Sequence, residues 1–229
     1  MYNQFIIKMS KNKNKMKYNS GITIIELLVV ISIFIIISGI TIFNYSKFKS
    51  TATLQNLADD IALSVRRVQG YAIGVKGYND AFGYSYGIHF TADPGLASQY
   101  SGSSRSFILF IDIDGDGKYD AGSSCGTPTG ESECLEVLSV TNTNEVSEIH
   151  IVENGNDMTI DKKDTLDILF KRPNPEPNLF CYGDSSNDMN SCDPISVEIS
   201  YIKIRVSNPN SYNTYKDVIV NSNGQISVS

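Results

Sequence analysis

Apolar residues run almost without interruption from Ile22 to Phe43, and the one charged side chain in these 22 residues is Glu26. At about 1.5 Å per residue this run makes roughly 33 Å of helix, enough to cross the hydrocarbon core of a bilayer. The apolar core of a signal peptide is shorter, about 7–15 residues, and it ends at a small-residue cleavage site. The run continues instead into an amphipathic pattern, so it predicts a membrane-spanning helix that stays in the mature protein.

Beyond Phe43 the apolar positions recur every three or four residues, which is typical of one face of a helix. The positions on this face are Leu54, Leu57, Ala58, Ile61, Val65, Val68 and Ala72. No proline lies between Ile22 and Val75, so the pattern predicts one long helix that ends near Gly74 and Gly77. We divide the chain into a basic leader at 1–21, a transmembrane or filament-core helix at 22–44, an amphipathic extension at 45–75 and an extracytoplasmic β domain at 76–229.

From about residue 84 the apolar positions alternate with a period of two, which predicts β-strands. The predicted strands are Tyr84–Phe90, Ser106–Ile113, Cys134–Val140, Glu145–Val152, Leu166–Lys171, Ile195–Val206 and a hairpin over Asp217–Ser229 that turns at Asn223-Gly224. A change of alternation predicts a bulge near Tyr201, and the prolines of residues 172–177 predict an exposed loop. The predicted fold class is α+β, with the long N-terminal helix packed on a mainly antiparallel β-sheet or sandwich.

Charge is distributed unevenly along the chain. Five lysines and no acidic residue precede Gly21, and the remainder carries 14 basic against 25 acidic side chains, a net charge of −11. Positive charge in front of an apolar span places the leader in the cytoplasm and the rest outside. The acidic outer part argues against binding to nucleic-acid phosphates, although a local basic patch at Arg66, Arg67 and Lys76 keeps that alternative open.

The hexapeptide Gly21-Ile22-Thr23-Ile24-Ile25-Glu26 resembles the processing signature of type IV prepilins and of type II secretion pseudopilins. The resemblance implies that a prepilin peptidase cuts after Gly21 and methylates the new terminal residue, Ile22. It also implies that Glu26 is the acidic residue through which subunits of this family assemble. The order of the long helix and the strands is similar to H-type pseudopilins and related minor pilins, which implies a pilin-like fold.

The resemblance implies a structural subunit of a type IV pilus or type II secretion pseudopilus, and not an enzyme. Its expected partners are the prepilin peptidase, other pilin or pseudopilin subunits and the inner-membrane assembly platform. The expected location is the bacterial inner membrane, crossed once, and then a filament. Two alternatives stay open: a minor pilin for DNA uptake, and a signal-anchored calcium- or ligand-binding domain that does not polymerise.

A second motif follows the predicted strand Ser106–Ile113. Its carboxylates are Asp112, Asp114, Asp116 and Asp120, with glycines at positions 115 and 117, and this spacing resembles the start of a calcium-binding loop. Ser123 stands where such a loop has its bidentate glutamate, so Asp120, Glu131 or Glu133 would have to complete the ligand shell. The alternative is a solvated turn without a cation. No other cofactor is expected.

The four cysteines fall into two local pairs in the part predicted to be extracytoplasmic, where disulfides persist. Cys125–Cys134 and Cys181–Cys192 are the favoured pairing among three connectivities, with free thiols as the alternative. His89 and His150 both lie in strand patterns, which favours packed or surface side chains over catalytic bases. No triad order and no phosphate-binding loop accompanies them, so no catalytic site is predicted.

Overall fold

The computed structural model describes residues 21–74, 76–95, 100–129, 132–183 and 199–229, with the side chains of residues 44, 46 and 211–213 excepted. The leader predicted at 1–21 lies outside these residues apart from Gly21. Two compact units divide the chain, one up to Ser46 and one from Lys47 to Ser229.

A single helix, α1, runs from Ile24 to Ile73 over 50 residues, as the absence of proline predicts. The helix ends at the predicted position, where the Gly74 N–H donates to the Gly70 carbonyl at 2.8 Å. The apolar side chains of its first part are exposed within the chain. Among the described residues, α1 is the helix that is long and apolar enough to cross a membrane.

Ten strands follow α1 and form two antiparallel sheets. Their bounds are β1 Ser85–Thr91, β2 Ser106–Asp112, β3 Cys134–Ser139, β4 Glu145–Glu153, β5 Asn156–Thr159, β6 Thr165–Phe170, β7 Pro177–Tyr182, β8 Ile199–Asn208, β9 Ser211–Asn221 and β10 Ile226–Val228. The first sheet has the order β3-β2-β1-β6-β7 and the second the order β10-β9-β8-β4-β5. The predicted α+β class is therefore confirmed.

The main core of the unit from Lys47 to Ser229 joins α1 to both sheets. Leu54, Ala58, Ile61 and Val65 are fully buried, and all seven residues of the predicted helix face belong to this core. The core also takes alternate residues of both sheets, among them Ile88, Phe90, Leu109, Ile168, Ile202, Ile204 and Val218. Because each buried leucine or isoleucine contributes about 1.5–3 kcal/mol relative to an exposed one, this face is what holds α1 on the sheets.

Two strands, β5 and β7, are not predicted by the pattern of apolar and polar residues. All four residues of β5 are exposed, so no alternation between apolar and polar positions marks the strand. The other strand, β7, begins at Pro177, directly after the proline-rich loop, and lies at the edge of the first sheet. Proline is tolerated at the first residue of an edge strand because no ladder hydrogen bond needs its missing N–H.

The predicted bulge and hairpin are both present. Along β4 and β8 the pairing passes from Val152–Tyr201 to Glu153–Ile199, which leaves Ser200 as an extra residue next to Tyr201. Strands β9 and β10 pair antiparallel around Gly224, whose φ of 82° suits glycine.

The outer face of the first sheet carries a second, smaller core that we call the outer core. It contains Ile108, Phe110 and Leu169, which are buried but not part of the main core. The connection between β2 and β3 covers it, and the Tyr119 ring of this connection lies 5.3 Å from that of Phe110. A Cβ atom added to Gly87 would come within 2.3 Å of the Phe110 ring, so Phe110 packs directly over this glycine.

Candidate functional sites: the helix start and a carboxylate cluster

The residues of the predicted processing site lie at the exposed start of α1. Gly21 and Ile22 precede the helix, and both are exposed. A Cβ atom added to Gly21 would have no other atom within 4 Å. Thr23 follows as the N-cap, because its Oγ1 accepts the Glu26 N–H at 3.3 Å. The residues of the predicted cleavage point are therefore accessible before the first helical turn.

Glu26 is the third residue of the helix, and Thr23-x-x-Glu26 is the pattern of a capping box. This local role is not among the predictions made from the sequence, although the spacing of Thr and Glu indicates it. A carboxylate in the first turn also interacts favourably with the positive end of the helix dipole. Within the part of the chain that the structure describes, the Glu26 carboxylate has no ion-pair partner, so it remains available to a cation of another chain.

A cluster of three carboxylates forms where β2 ends and β3 begins. Asp112 is the last residue of β2, Asp114 lies in the turn after it, and Glu133 directly precedes β3. One oxygen from each of these carboxylates lies within 4.8 Å of the other two. Asp112 and Glu133 are 3% and 1% exposed, whereas Asp114 is exposed.

Backbone N–H groups organise the turn around Asp112. Its Oδ1 accepts the N–H of Gly115 at 2.8 Å and that of Gly117 at 3.4 Å. Both glycines have positive φ, of 84° and 86°, which glycine adopts without strain. The side chains of Asp114 and Asp116 each accept the N–H two residues further on, so the aspartates also build the turn.

Glu133 joins the two ends of this turn. Its Oε1 accepts the Ile113 N–H at 2.7 Å, and its Oε2 accepts the Asp120 N–H at 3.2 Å. Burial, together with the charges of Asp112 and Asp114, raises the pKa of Glu133 to about 7 against the opposing effect of the two backbone hydrogen bonds. Burial likewise raises the pKa of Asp112. A cation would therefore relieve an unfavourable concentration of negative charge.

The structure brings together two of the four aspartates predicted to bind calcium. Asp112 and Asp114 share the cluster with Glu133, one of the residues proposed to complete the shell. Asp116 and Asp120 do not belong to this group, and Glu131 lies outside the described residues. Three carboxylates on a sharply turning, glycine-containing backbone suit a hard cation such as Ca²⁺, which prefers oxygen ligands.

A disulfide lies beside the cluster. Cys125 and Cys134 are bonded, with their Cα atoms 4.7 Å apart, as the sequence predicts. Since Cys134 follows Glu133, the disulfide fixes the chain next to a carboxylate of the cluster. Cys181 is also disulfide-bonded, and its predicted partner, Cys192, lies outside the described residues.

The two histidines are packed against carboxylates. His89 is buried in the outer core, where its Nδ1 lies 2.6 Å from Asp167 Oδ1. Asp167 Oδ2 accepts the Tyr119 N–H at 3.0 Å, so this pair anchors the β2–β3 connection that carries the aspartates. His89 and Asp167 are direct partners in the pairing of β1 with β6, which the sequence does not reveal.

His150 lies on the second sheet. Its ring nitrogens face Glu148 Oε2 at 3.2 Å and Asp157 Oδ1 at 3.0 Å. Both carboxylates also contact a cation of β8, Arg205 with Glu148 and Lys203 with Asp157. His150 is thus part of a surface charge network.

No protein-family model, no curated protein and no solved structure matches this chain. The proposed function therefore rests on the residues and geometry described above.

Proposed function

We propose that this chain is a structural subunit, a minor pilin or pseudopilin, of a type IV pilus or type II secretion pseudopilus. The observation that carries the proposal is α1. One continuous helix begins just after a Gly-Ile-Thr-Ile-Ile-Glu segment, exposes apolar side chains over its first part, and covers a β-domain core with its second part. A helix that only anchors a domain needs neither the accessible glycine nor the glutamate.

Assembly through this helix follows from its surface. Apolar side chains such as Ile24, Phe34 and Phe43 are exposed and would be buried first in lipid and then against neighbouring copies. Carboxylates within membrane-spanning segments are rare, so such a group is normally retained for a partner. Cleavage after Gly21 would create an amine at Ile22, and Glu26 would pair with that amine on a neighbouring copy.

The partners of this function are the prepilin peptidase, other pilin or pseudopilin subunits and the inner-membrane assembly platform. The lysine-rich leader places the start of α1 on the cytoplasmic side, so the β domain projects out of the inner membrane. Catalysis has no part in this proposal.

The β domain offers no support for nucleic-acid binding at the one basic patch that the sequence suggested. Arg66 donates to the Ile226 carbonyl at 3.0 Å, and Arg67 forms an ion pair with Glu136 at 2.8 Å. Lys76 lies 3.7 Å from the centroid of the Tyr71 ring. Because each of these cations has an intramolecular partner, phosphate contacts would have to compete with existing interactions.

Calcium has a separate place in the proposal. The charges of Asp112, Asp114 and Glu133 favour Ca²⁺ bound where the β2–β3 connection meets its strands. Its role would be structural, holding the turn on the outer core. Removal of the ion would leave the subunit assembled but its β domain less stable.

The decisive experiment is the intact mass of the chain isolated from membranes. We expect a chain that begins with N-methylated Ile22, and we expect Gly21→Glu to leave an uncut precursor. Gly39→Ala is the matched control, because this helical glycine has open space around it and lies outside the processing segment. An unprocessed N-terminus in the wild type would refute the proposal in favour of a signal anchor.

A further inference from the structure

A short basic and aromatic segment, Lys47-Phe48-Lys49, follows the apolar run of α1. Phe48 is 72% exposed, and both lysines are exposed. Neither ammonium group forms an ion pair with a described side chain. The segment precedes the helix face that packs on the sheets, so none of its three side chains belongs to the main core.

The segment reaches the depth of the lipid headgroups when the apolar run spans a bilayer. Lys47 and Lys49 follow Phe43 by four and six residues, which is about 6–9 Å at the rise of a helix. A bilayer is about 40–45 Å thick with its headgroups and about 30 Å without them, so each headgroup layer is about 5–8 Å deep. Lysine side chains extend their charged ends to this layer, and aromatic side chains are enriched in it.

The three side chains lie on different sides of the helix. Consecutive residues of an α-helix are about 100° apart, so Lys47 and Lys49 are about 200° apart with Phe48 between them. A protein that docks on one side of α1 would contact only part of this arrangement. A headgroup layer surrounds the helix, so it contacts all three side chains at once.

The charge of the segment is opposite to that of the domain behind it. No acidic residue lies between Glu26 and Asp59, and Asp59 follows Lys49 by ten residues, or about 15 Å of helix. This distance exceeds the Debye length of about 8–10 Å, so the two lysines attract a neighbouring anion largely unopposed. Beyond residue 49 the chain carries 12 basic and 24 acidic side chains, a net charge of −12. Attraction to an anionic membrane would therefore come from these two lysines and not from the net charge of the domain.

We propose that Lys47, Phe48 and Lys49 form a collar around α1 that binds the phosphate groups of anionic phospholipids on the outer surface of the membrane. This inference rests on the proposed function, because it requires that α1 spans the membrane with the β domain outside. It adds a lipid class to that function: anionic lipid holds the subunit at a fixed depth until the helix leaves the membrane for a filament.

Lipid-specific fluorescence quenching of the full-length chain in vesicles tests this contact. The chain contains no tryptophan, so Phe48→Trp introduces a single fluorophore and keeps an aromatic side chain in the collar. The vesicles contain equal parts of phosphatidylcholine and phosphatidylglycerol, and one of the two lipids is brominated close to its headgroup. We expect brominated phosphatidylglycerol to quench the tryptophan more strongly than brominated phosphatidylcholine. The preference should be about fivefold for each lysine, as roughly 1 kcal/mol per lysine at an anionic surface implies.

Two pairs of substitutions in the Phe48→Trp chain separate the collar from the remaining charge. Lys47→Gln with Lys49→Gln should remove the preference for phosphatidylglycerol. Lys162→Gln with Lys163→Gln removes the same charge from two neighbouring exposed lysines outside α1 and should keep the preference. A preference that survives the first pair, or that both pairs reduce equally, would overturn the inference.

The same measurement reports whether the helix is inserted. A tryptophan that both lipids quench equally would refute only the preference for anionic lipid. A tryptophan that neither brominated lipid quenches would refute the membrane span and, with it, the proposed function.

Discussion

Glu133→Gln tests the carboxylate cluster most directly. In calcium-free buffer, the raised pKa of Glu133 means that the folded domain binds this proton more tightly than the unfolded chain does. The contribution of Glu133 to stability is therefore greatest at and below the ordinary glutamate pKa of about 4.5, and it is lost as the pH rises to about 7. A shift of this size corresponds to about 3 kcal/mol in the free energy of unfolding.

The substitution removes this dependence but loses one hydrogen bond. The amide oxygen of glutamine can accept the Ile113 N–H, whereas its NH₂ group cannot accept the Asp120 N–H. The loss costs about 1 kcal/mol relative to the ionised carboxylate. We expect Glu133→Gln to be close to the wild type in stability at pH 5 and more stable, by about 2 kcal/mol, at pH 8 without calcium.

The assay is differential scanning calorimetry of residues 47–229, which form a compact unit with their own core. For a domain of this size, 1 kcal/mol corresponds to about 2–4 °C in Tm. Calcium at about 100 times its dissociation constant should stabilise the wild type at pH 8 by about 2.7 kcal/mol and the variant much less. Glu176→Gln, an exposed glutamate outside the cluster, is the control and should follow the wild type.

Two results would refute this reasoning. If the stabilities of wild type and Glu133→Gln run parallel from pH 5 to pH 8, the burial of Glu133 does not disfavour its charge. If calcium never changes the Tm of the wild type, the cluster is a turn that needs no ion.

Three further predictions concern the outer core, assembly and a surface ion pair. Gly87→Ala should destabilise the β domain by about 1–3 kcal/mol in urea unfolding, because the added methyl group meets the Phe110 ring. Glu26→Ala should be processed normally but be depleted from isolated filaments, as quantified by immunoblotting. Asp157→Asn should lower stability by at most about 1 kcal/mol at pH 7, because the Lys203 ammonium lowers the pKa of that carboxyl, and the difference should vanish in acid as the carboxyl is protonated.

Each of these predictions has its own control. Gly83→Ala has open space around the new methyl group and should unfold close to the wild type. Glu26→Asp keeps the negative charge and should retain more incorporation than Glu26→Ala, and equal incorporation of both would contradict the pairing with an amine. A difference between Asp157→Asn and the wild type that persists unchanged into acid would show that the ion pair is not its cause.

The sequence predicts the parts of this fold that depend on one periodicity. The apolar face from Leu54 to Ala72 and the turn at Gly224 follow local rules, and both are present. Strand β5 lacks an apolar face, and the proline-rich stretch before β7 conceals that strand, so neither can be recognised from alternation. These strands exist because their neighbours offer them an edge to pair with.

The candidate sites also differ in how much of each can be predicted from the sequence. The predicted processing segment is contiguous, so Gly21 and Glu26 can be proposed from six residues alone. The carboxylate cluster includes Glu133, which lies about 20 residues after Asp112 in the sequence. Glu133 comes close to Asp112 because β2 and β3 pair. The distance of His89 from Asp167 likewise depends on the pairing of strands far apart in the chain.

The domain has two cores, the main core and the outer core, and the outer core can unfold locally while the main core stays folded. Its residues under the β2–β3 connection share the first sheet with the main core but lie on the opposite face. Local opening of such a layer requires less free energy than global unfolding, and its amide hydrogens then exchange at their own rate. The Asp-rich surface can therefore rearrange, and the cation that we propose for it could exchange, while α1 and the main core stay folded.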